Sequence, residues 1–262
     1  MRNRFGVKKT VILLILLMTL LSNSVSFVYA YPYSGTSNQK SACNEMRNMA
    51  IIYWRPAMGV TIGGQSYNMN TTYRGIPYTQ ATNVTYQQFV NNGTDGPTYF
   101  IYSGSSGNDC STAVALAWKT CFSSIDYAGI WTGDFLSCAQ YGSNSTYHMS
   151  TVGGYAMGSG YSSTKTYCLD KGYSTISGYY ASLQPGDSCF RYFTNSSGTL
   201  KKHAILVVAK ETRSGVPGIV YIDQIGRGYG DNNYTTWHYE KWISYSDLYN
   251  SYYLPVYCTS VR

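Results

Sequence analysis

The chain has 262 residues and a formal net charge of +7, and only 12% of its residues are charged. Four basic residues and no acidic ones lie in the first 30 residues, so the rest of the chain carries only +3. We therefore expect no nucleic-acid partner, although a small positive charge suits work near an anionic surface such as a cell wall. The 29 tyrosines and 26 glycines indicate a β-rich protein. An aromatic-rich sheet is the simpler interpretation of the tyrosines, and a sugar-stacking surface is the alternative.

The N-terminus has the pattern of a secretory signal peptide. A basic stretch at 2–9 precedes an apolar run from Val11 to Leu21, and Val28 and Ala30 fit cleavage after Ala30. The apolar run is too short to span a bilayer comfortably, which disfavours the alternative of a membrane anchor. We expect a secreted or cell-wall-associated protein with no stable membrane anchor after signal cleavage.

The predicted organisation has three parts. Residues 1–30 form the signal peptide, the polar residues 31–40 form a lead-in, and residues 41–262 form one domain. The spacing of apolar residues predicts a first helix from about Ser41 to Tyr53, beyond which a proline stops it.

Loops and short strands should follow as far as residue 105, including a marked Gly-Ile-Pro-Tyr turn at 75–78. A clear helix then begins at Cys110, because Asn108 or Asp109 can accept hydrogen bonds from its first-turn amides. Residues 142–166 are rich in Gly, Ser and Tyr without periodicity, so we expect a long surface excursion there.

The C-terminal third is predicted to be β-rich. A Leu-Gln-Pro-Gly-Asp turn at 183–187 leads into a strand at 188–194. His203–Ala209 is an apolar run typical of a buried strand. A loop at about 210–217 separates this strand from another at Gly218–Gln224.

The chain contains an odd number of cysteines, so at least one thiol is left over in an oxidising compartment. They are Cys43, Cys110, Cys121, Cys138, Cys168, Cys189 and Cys258. Three disulfides and one free thiol is the simplest arrangement. Cys110 is the candidate nucleophile, because a first-turn position on a capped helix favours a thiolate. A role for Cys110 as an ordinary disulfide partner is the alternative.

A cysteine nucleophile needs a base, and His203 is the candidate. It begins a buried strand, so its imidazole can face a cleft while the following residues anchor in the core. His148 lies in the predicted excursion and His238 in a stretch rich in Trp and Tyr. By position alone, His203 could equally be an ordinary residue at the start of a strand.

A third group should orient the imidazole. If the strands at 203–209 and 218–224 form a hairpin centred near residue 213, His203 and Asp223 lie opposite each other with Cβ atoms about 5 Å apart. Gln224 replaces Asp223 if the register slips by one residue. The alternative is a strand-end aspartate that faces solvent.

Three motifs together resemble the NlpC-type and CHAP-type cysteine peptidases: Asp109-Cys110-Ser111 at a helix start, the turn at 183–187, and His203-Ala-Ile-Leu-Val-Val on a strand. The resemblance spans about residues 72–258. It implies an α+β, papain-like fold in which an N-terminal nucleophile helix packs on a small antiparallel β-sheet. It also implies cleavage of peptide or amide bonds in bacterial peptidoglycan without a metal or another cofactor.

By this resemblance Cys110 is the nucleophile, His203 the base, and Asp223 or Gln224 the orienting group. The Gly-Ile-Pro-Tyr turn resembles a motif upstream of the family's cysteine, which makes Tyr78 a candidate for assisting the oxyanion. The expected partners are peptidoglycan stem peptides or cell-wall glycan. Two alternatives stay open: a non-catalytic cell-wall or glycan-binding module, and a secreted effector that uses the same triad on a host protein.

Overall fold

The computed structural model describes residues 33–94, 99–101, 107–121, 130–226, 230 and 235–262. Within these ranges the helices are α1 (Ser37–Ile51), α2 (Tyr86–Asn91), α3 (Cys110–Lys119), α4 (Thr132–Tyr141), α5 (Thr164–Ala181) and α6 (Tyr245–Asn250). The strands are β1 (Tyr53–Pro56), β2 (Val60–Ile62), β3 (Gln65–Tyr67), β4 (Tyr73–Arg74), β5 (Gly93–Thr94), β6 (Tyr99–Ile101), β7 (Ser143–Asn144), β8 (Met149–Thr151), β9 (Ser188–Thr194), β10 (Leu200–Arg213), β11 (Val216–Gln224), β12 (Trp237–Ser244) and β13 (Leu254–Cys258). The predicted signal peptide lies outside the described residues.

A seven-stranded sheet in the order β12-β11-β10-β9-β13-β8-β7 is the main element of the fold, and all its pairings are antiparallel. A four-stranded sheet (β4-β1-β6-β5) and a two-stranded sheet (β2-β3) accompany it. Helices α1 and α3 pack against each other, and α3 also packs on β10 and β11. The helix that carries Cys110 therefore lies against central strands of the main sheet.

The predicted papain-like fold, with an N-terminal nucleophile helix on a small sheet, is wrong. The sheet has seven strands, and α3 follows α1, α2 and the strands of the smaller sheets. The structure has one large antiparallel sheet, two smaller sheets and several helices. The prediction failed because strands of two or three residues, such as β7 and β8, are too short to show an alternating pattern.

Helix α1 begins earlier than predicted because Thr36 and Gln39 form a capping box. Thr36 Oγ1 accepts a hydrogen bond from the Gln39 amide, and Gln39 Oε1 accepts one from the Thr36 amide at 2.8 Å. The helix ends at Ile51, before the proline that was expected to stop it, because residues 53–56 form β1. Four residues of the predicted polar lead-in therefore belong to α1.

The predicted surface excursion at 142–166 is also wrong. Its first part forms β7 and β8, which extend the main sheet beyond β13. Three apolar residues that follow β8, Val152, Tyr155 and Met157, are buried in the core. Absence of periodicity here reflects short strands and tight turns.

Eight of the tyrosines in the described residues are buried in the core. Tyr67, Tyr155, Tyr180 and Tyr253 are among the tyrosines that are less than a tenth exposed. They pack into the same apolar cluster as the aliphatic side chains. The residues from Tyr33 to Arg262 form one compact unit. No helix among the described residues is long and apolar enough to cross a membrane.

Candidate active site

Hydrogen bonds to the N-cap residue fix the start of α3, where Cys110 lies. Asp109 is the N-cap, and its Oδ1 accepts hydrogen bonds from the Thr112 amide at 2.8 Å and from the Ser111 hydroxyl at 3.0 Å. Every residue of α3 up to Trp118 is buried, and Trp118 Nε1 donates to the Gly186 carbonyl at 2.7 Å. The helix is therefore fixed against the turn that precedes β9. Its first amides point out of the helix start without intrahelical acceptors.

Cys110, His203 and Asp223 meet at this helix start. His203 Nε2 lies 2.6 Å from Asp223 Oδ2, and the Cys110 thiol is close enough to the imidazole to raise its pKa. Because Nε2 faces the carboxylate, Nδ1 is the nitrogen left to face sulfur. Asp223 is buried, the His203 side chain is 12% exposed and Cys110 is 8% exposed. The site is largely dry but still open to solvent at the thiol and the imidazole.

The electrostatics of the site favour a charged imidazole. Burial lowers the pKa of His203, but the negative charge of Cys110 and the hydrogen bonds with Asp223 and Cys110 outweigh this effect and raise it to about 10. Burial raises the pKa of Asp223, whereas its contacts with His203 and His238 lower it below the ordinary value overall. A protonated His203 beside an ionised Asp223 is the arrangement that these shifts support.

The β10–β11 hairpin brings His203 and Asp223 together by a register different from the predicted one. Leu206 pairs with Ile222, which places residue 203 opposite 225, so Asp223 is a diagonal neighbour of His203. Residue 203 pairs with 223 in the predicted register and lies opposite 225 in the observed one, a shift of two residues. An even difference keeps side chains on the same face, so the predicted contact survives.

Gln224 points away from His203. Adjacent strand residues face opposite sides of a sheet, and Gln224 Nε2 donates to the Ile76 carbonyl at 2.8 Å. Trp237 Nε1 donates to the same carbonyl at 2.7 Å. Gln224 therefore fixes the Gly-Ile-Pro-Tyr turn, and the structure gives it no contact through which it could orient the imidazole.

That turn places Tyr78 beside the thiol. Asn108, two residues before Cys110, donates its amide to the Pro77 carbonyl and accepts from the Thr79 amide, so the two segments run side by side. Burial raises the pKa of Tyr78, and the negative charges of Cys110 and Asp109 raise it further. Its hydroxyl therefore stays protonated at neutral pH. Tyr78 also lines an open cleft of about 530 Å³.

His238 belongs to this site, although the sequence did not indicate it. It pairs directly with Asp223 across β11 and β12, and its Nδ1 lies 3.0 Å from Asp223 Oδ1. The two atoms are at ion-pairing distance without the alignment of a hydrogen bond. Asp223 thus lies between two histidines. The position of His238 opposite Asp223 depends on how β12 pairs with β11. That pairing includes a register shift, so the local sequence does not predict it.

The cysteines do not form the three expected disulfides: all seven are unpaired. Burial raises the pKa of each of the six others, to about 12 for Cys43, Cys138 and Cys168 and about 11 for Cys258. Cys189 and the half-buried Cys121 are raised by the same cause. These six thiols lack a histidine partner in the described residues and act as small apolar side chains.

No protein-family model, no curated protein and no solved structure matches this chain. The chemistry of the site is therefore inferred from the geometry of its residues. A buried cysteine at a helix start, a histidine beside it and a carboxylate behind the histidine resemble the arrangement typical of thiol nucleophiles. Among the described residues no group of three or more His, Cys, Asp or Glu side chains could hold a metal ion.

Asp223→Asn should slow turnover roughly 10²–10⁴-fold, because an asparagine amide facing Nε2 would favour the imidazole tautomer with its proton on Nδ1 and none on Nε2. Asp223 also helps to raise the pKa of His203. If protonated His203 is the required acid, activity is present below that pKa and lost above it. We expect the alkaline limit of the pH–rate profile near pH 10 in the native protein and at lower pH in Asp223→Asn. An unchanged limit would contradict the role of Asp223.

Gln224→Ala should lower the free energy of unfolding by about 0.5–1.5 kcal/mol, because it removes a buried hydrogen bond to the Ile76 carbonyl, which keeps the Trp237 donor. Chemical denaturation measures this change. The alkaline limit of the pH–rate profile should stay where it is in the native protein. A shift as large as that of Asp223→Asn would instead make Gln224 the orienting residue.

Proposed function

We propose that this chain is an exported cysteine hydrolase that cleaves peptide or amide bonds in bacterial peptidoglycan. The observation that carries the chemical part is His203 placed in contact with both Cys110 and Asp223. Three different elements supply these residues, the start of α3, strand β10 and strand β11, and all are anchored in the core. Side chains fixed in this way are suited to catalysis because little reorganisation is needed during reaction.

The reaction begins when the Cys110 thiolate attacks the carbonyl carbon of the scissile amide and a C–S bond forms. The first amides of α3 and the Tyr78 hydroxyl are the donors available to the developing oxyanion. His203 gives its Nδ1 proton to the leaving nitrogen as the C–N bond breaks. Neutral His203 then accepts a proton from water, whose oxygen attacks the thioester. The C–S bond breaks to restore the thiolate and release a carboxylic acid, which loses its proton to solvent.

The substrate class rests on the sequence. The signal-like N-terminus directs the chain outside the cell, where peptidoglycan is the abundant amide polymer. The three motifs that resemble NlpC-type and CHAP-type peptidases also lie close to one another in the fold. The Pro-Gly-Asp turn abuts α3 through the Trp118–Gly186 hydrogen bond. The tyrosines give no specific support to a glycan-stacking module, since eight of them serve as core side chains.

Incubation of residues 31–262 with purified peptidoglycan, followed by mass spectrometry of the soluble products, tests the proposal. We expect release of stem-peptide fragments, which iodoacetamide pretreatment and Cys110→Ala both prevent. Release that survives Cys110→Ala would contradict the cysteine mechanism. If nothing is released although Cys110 reacts with iodoacetamide, the peptidoglycan substrate is wrong and a host protein becomes the substrate to test. If nothing is released and Cys110 does not react, the binding module is favoured.

A further inference from the structure

We propose that Arg191 forms an anion subsite beside the Cys110–His203 pair and binds a free carboxylate of the substrate close to the scissile bond. The inference rests on the proposed hydrolase function and adds a substrate class to it. A neutral peptide would leave this subsite empty, whereas a peptide with an acidic residue or a free chain end next to the cleaved amide would fill it.

The register of β9 and β10 places Arg191 next to the site. Arg191 and His203 are direct partners in this antiparallel pair, so their side chains lie on the same face with Cβ atoms about 5 Å apart. The guanidinium carbon of Arg191 lies 5.2 Å from the centre of the Tyr253 ring. The His203 ring lies 6.5 Å from the same ring. Tyr253 is buried, so its ring is a fixed neighbour of the Arg191 and His203 side chains.

Arg191 has no counter-charge in the described part of the chain. None of the ion pairs found there involves it, and its Nε is buried without a hydrogen-bond partner. A guanidinium has five N–H donors in a planar fork that matches a carboxylate. Other arginines, such as Arg262 with Asp187 and Arg213 with Glu211, do have carboxylate partners.

The chemistry of a carboxylate ligand fits this position. Stacking on Tyr253 leaves the edge of the guanidinium available, and the edge is where its N–H groups point. Arg191 is partly buried and its Nε is buried without a partner, which is unfavourable, so an anion from the substrate would relieve that cost. Peptidoglycan stem peptides carry free carboxylates beside their amide bonds, which makes them a substrate of the required class.

Two thiol reagents that differ only in charge test the subsite: N-iodoacetylglutamic acid and its diamide. In the native protein we expect the acid to alkylate Cys110 faster than the diamide does. Arg191→Gln should lower the ratio of the two rates roughly tenfold, as expected for loss of hydrogen bonds to a charged group. Arg191→Lys should retain part of the preference, which guards against a folding defect in the glutamine variant.

Lys202→Gln is the matched control, because it removes the same charge one residue from His203. Its side chain lies on the other face, with Nζ 5.9 Å from the centre of the Trp131 ring. The rate ratio should therefore change less than twofold or so. An equal ratio in the native protein and Arg191→Gln, with peptidoglycan release intact, would overturn the subsite alone. Failure of Cys110 to react with either reagent, with no release, would overturn the hydrolase and the subsite together.

Discussion

Cys110→Ser should reduce turnover by roughly 10⁴-fold or more and leave the fold intact. Loss of the nucleophile in a triad removes nearly all the covalent catalysis, as measured for other hydrolases. Serine is nearly isosteric with cysteine, but its hydroxyl does not ionise at neutral pH, so His203 would face a neutral partner. Fragment release from peptidoglycan measures the rate, and near-ultraviolet circular dichroism checks the fold.

Cys121→Ser is the control for this substitution. Cys121 lies just beyond the other end of α3, is more exposed than Cys110, and donates to the Asn38 carbonyl. We expect this variant to keep its turnover within about twofold of the native rate, since surface substitutions away from a site have small effects. Full turnover in Cys110→Ser, or loss of turnover in Cys121→Ser alone, would show that the wrong thiol has been assigned.

His203→Ala should lower turnover by roughly 10³-fold or more, because it removes both the base that stabilises the thiolate and the acid that protonates the leaving amine. The substitution leaves a small cavity next to Asp223, which retains its contact with His238. Added imidazole should enter this cavity and restore part of the rate. The measurement is turnover with and without imidazole, at fixed ionic strength.

His148→Asn provides the comparison for His203→Ala. His148 has a left-handed backbone at φ 50°, which asparagine tolerates better than alanine, and it lies in the turn between β7 and β8. Its replacement should leave turnover near the native value. The assignment of His203 would be wrong if its alanine variant kept more than about a tenth of the native rate, because a general acid–base contributes at least 10²-fold.

The sequence was sufficient to predict the helix start at Cys110 because capping is local. Asp109 and Thr112 are three residues apart, and their contact follows from the chain itself. The strands that carry His203 and Asp223 were also predictable, although both extend further than expected. The contact between His203 and Asp223 was predicted from a wrong register. It still forms because the face of the sheet on which a side chain lies depends only on whether the register shift is odd or even.

The rest depends on contacts between distant parts of the chain. His238 meets Asp223 only because β12 pairs with β11 through a shifted register. Arg191 faces His203 because a turn at 195–199 sets the β9–β10 register. The size of the main sheet was missed for the same reason, since β7 and β8 form only by pairing with each other and with β13. Local sequence patterns do not specify such pairings.

The most direct test of the central claim is the rate at which iodoacetamide alkylates each of the seven cysteines in the native protein at neutral pH, followed by peptide mapping. Burial raises the pKa of the other six thiols, so they should react slowly. Cys110 should react first, and His203→Ala should remove its advantage. If Cys110 stayed unlabelled while Cys121 reacted, or if His203→Ala left its rate unchanged, the thiol–imidazole pair would not be a catalytic centre.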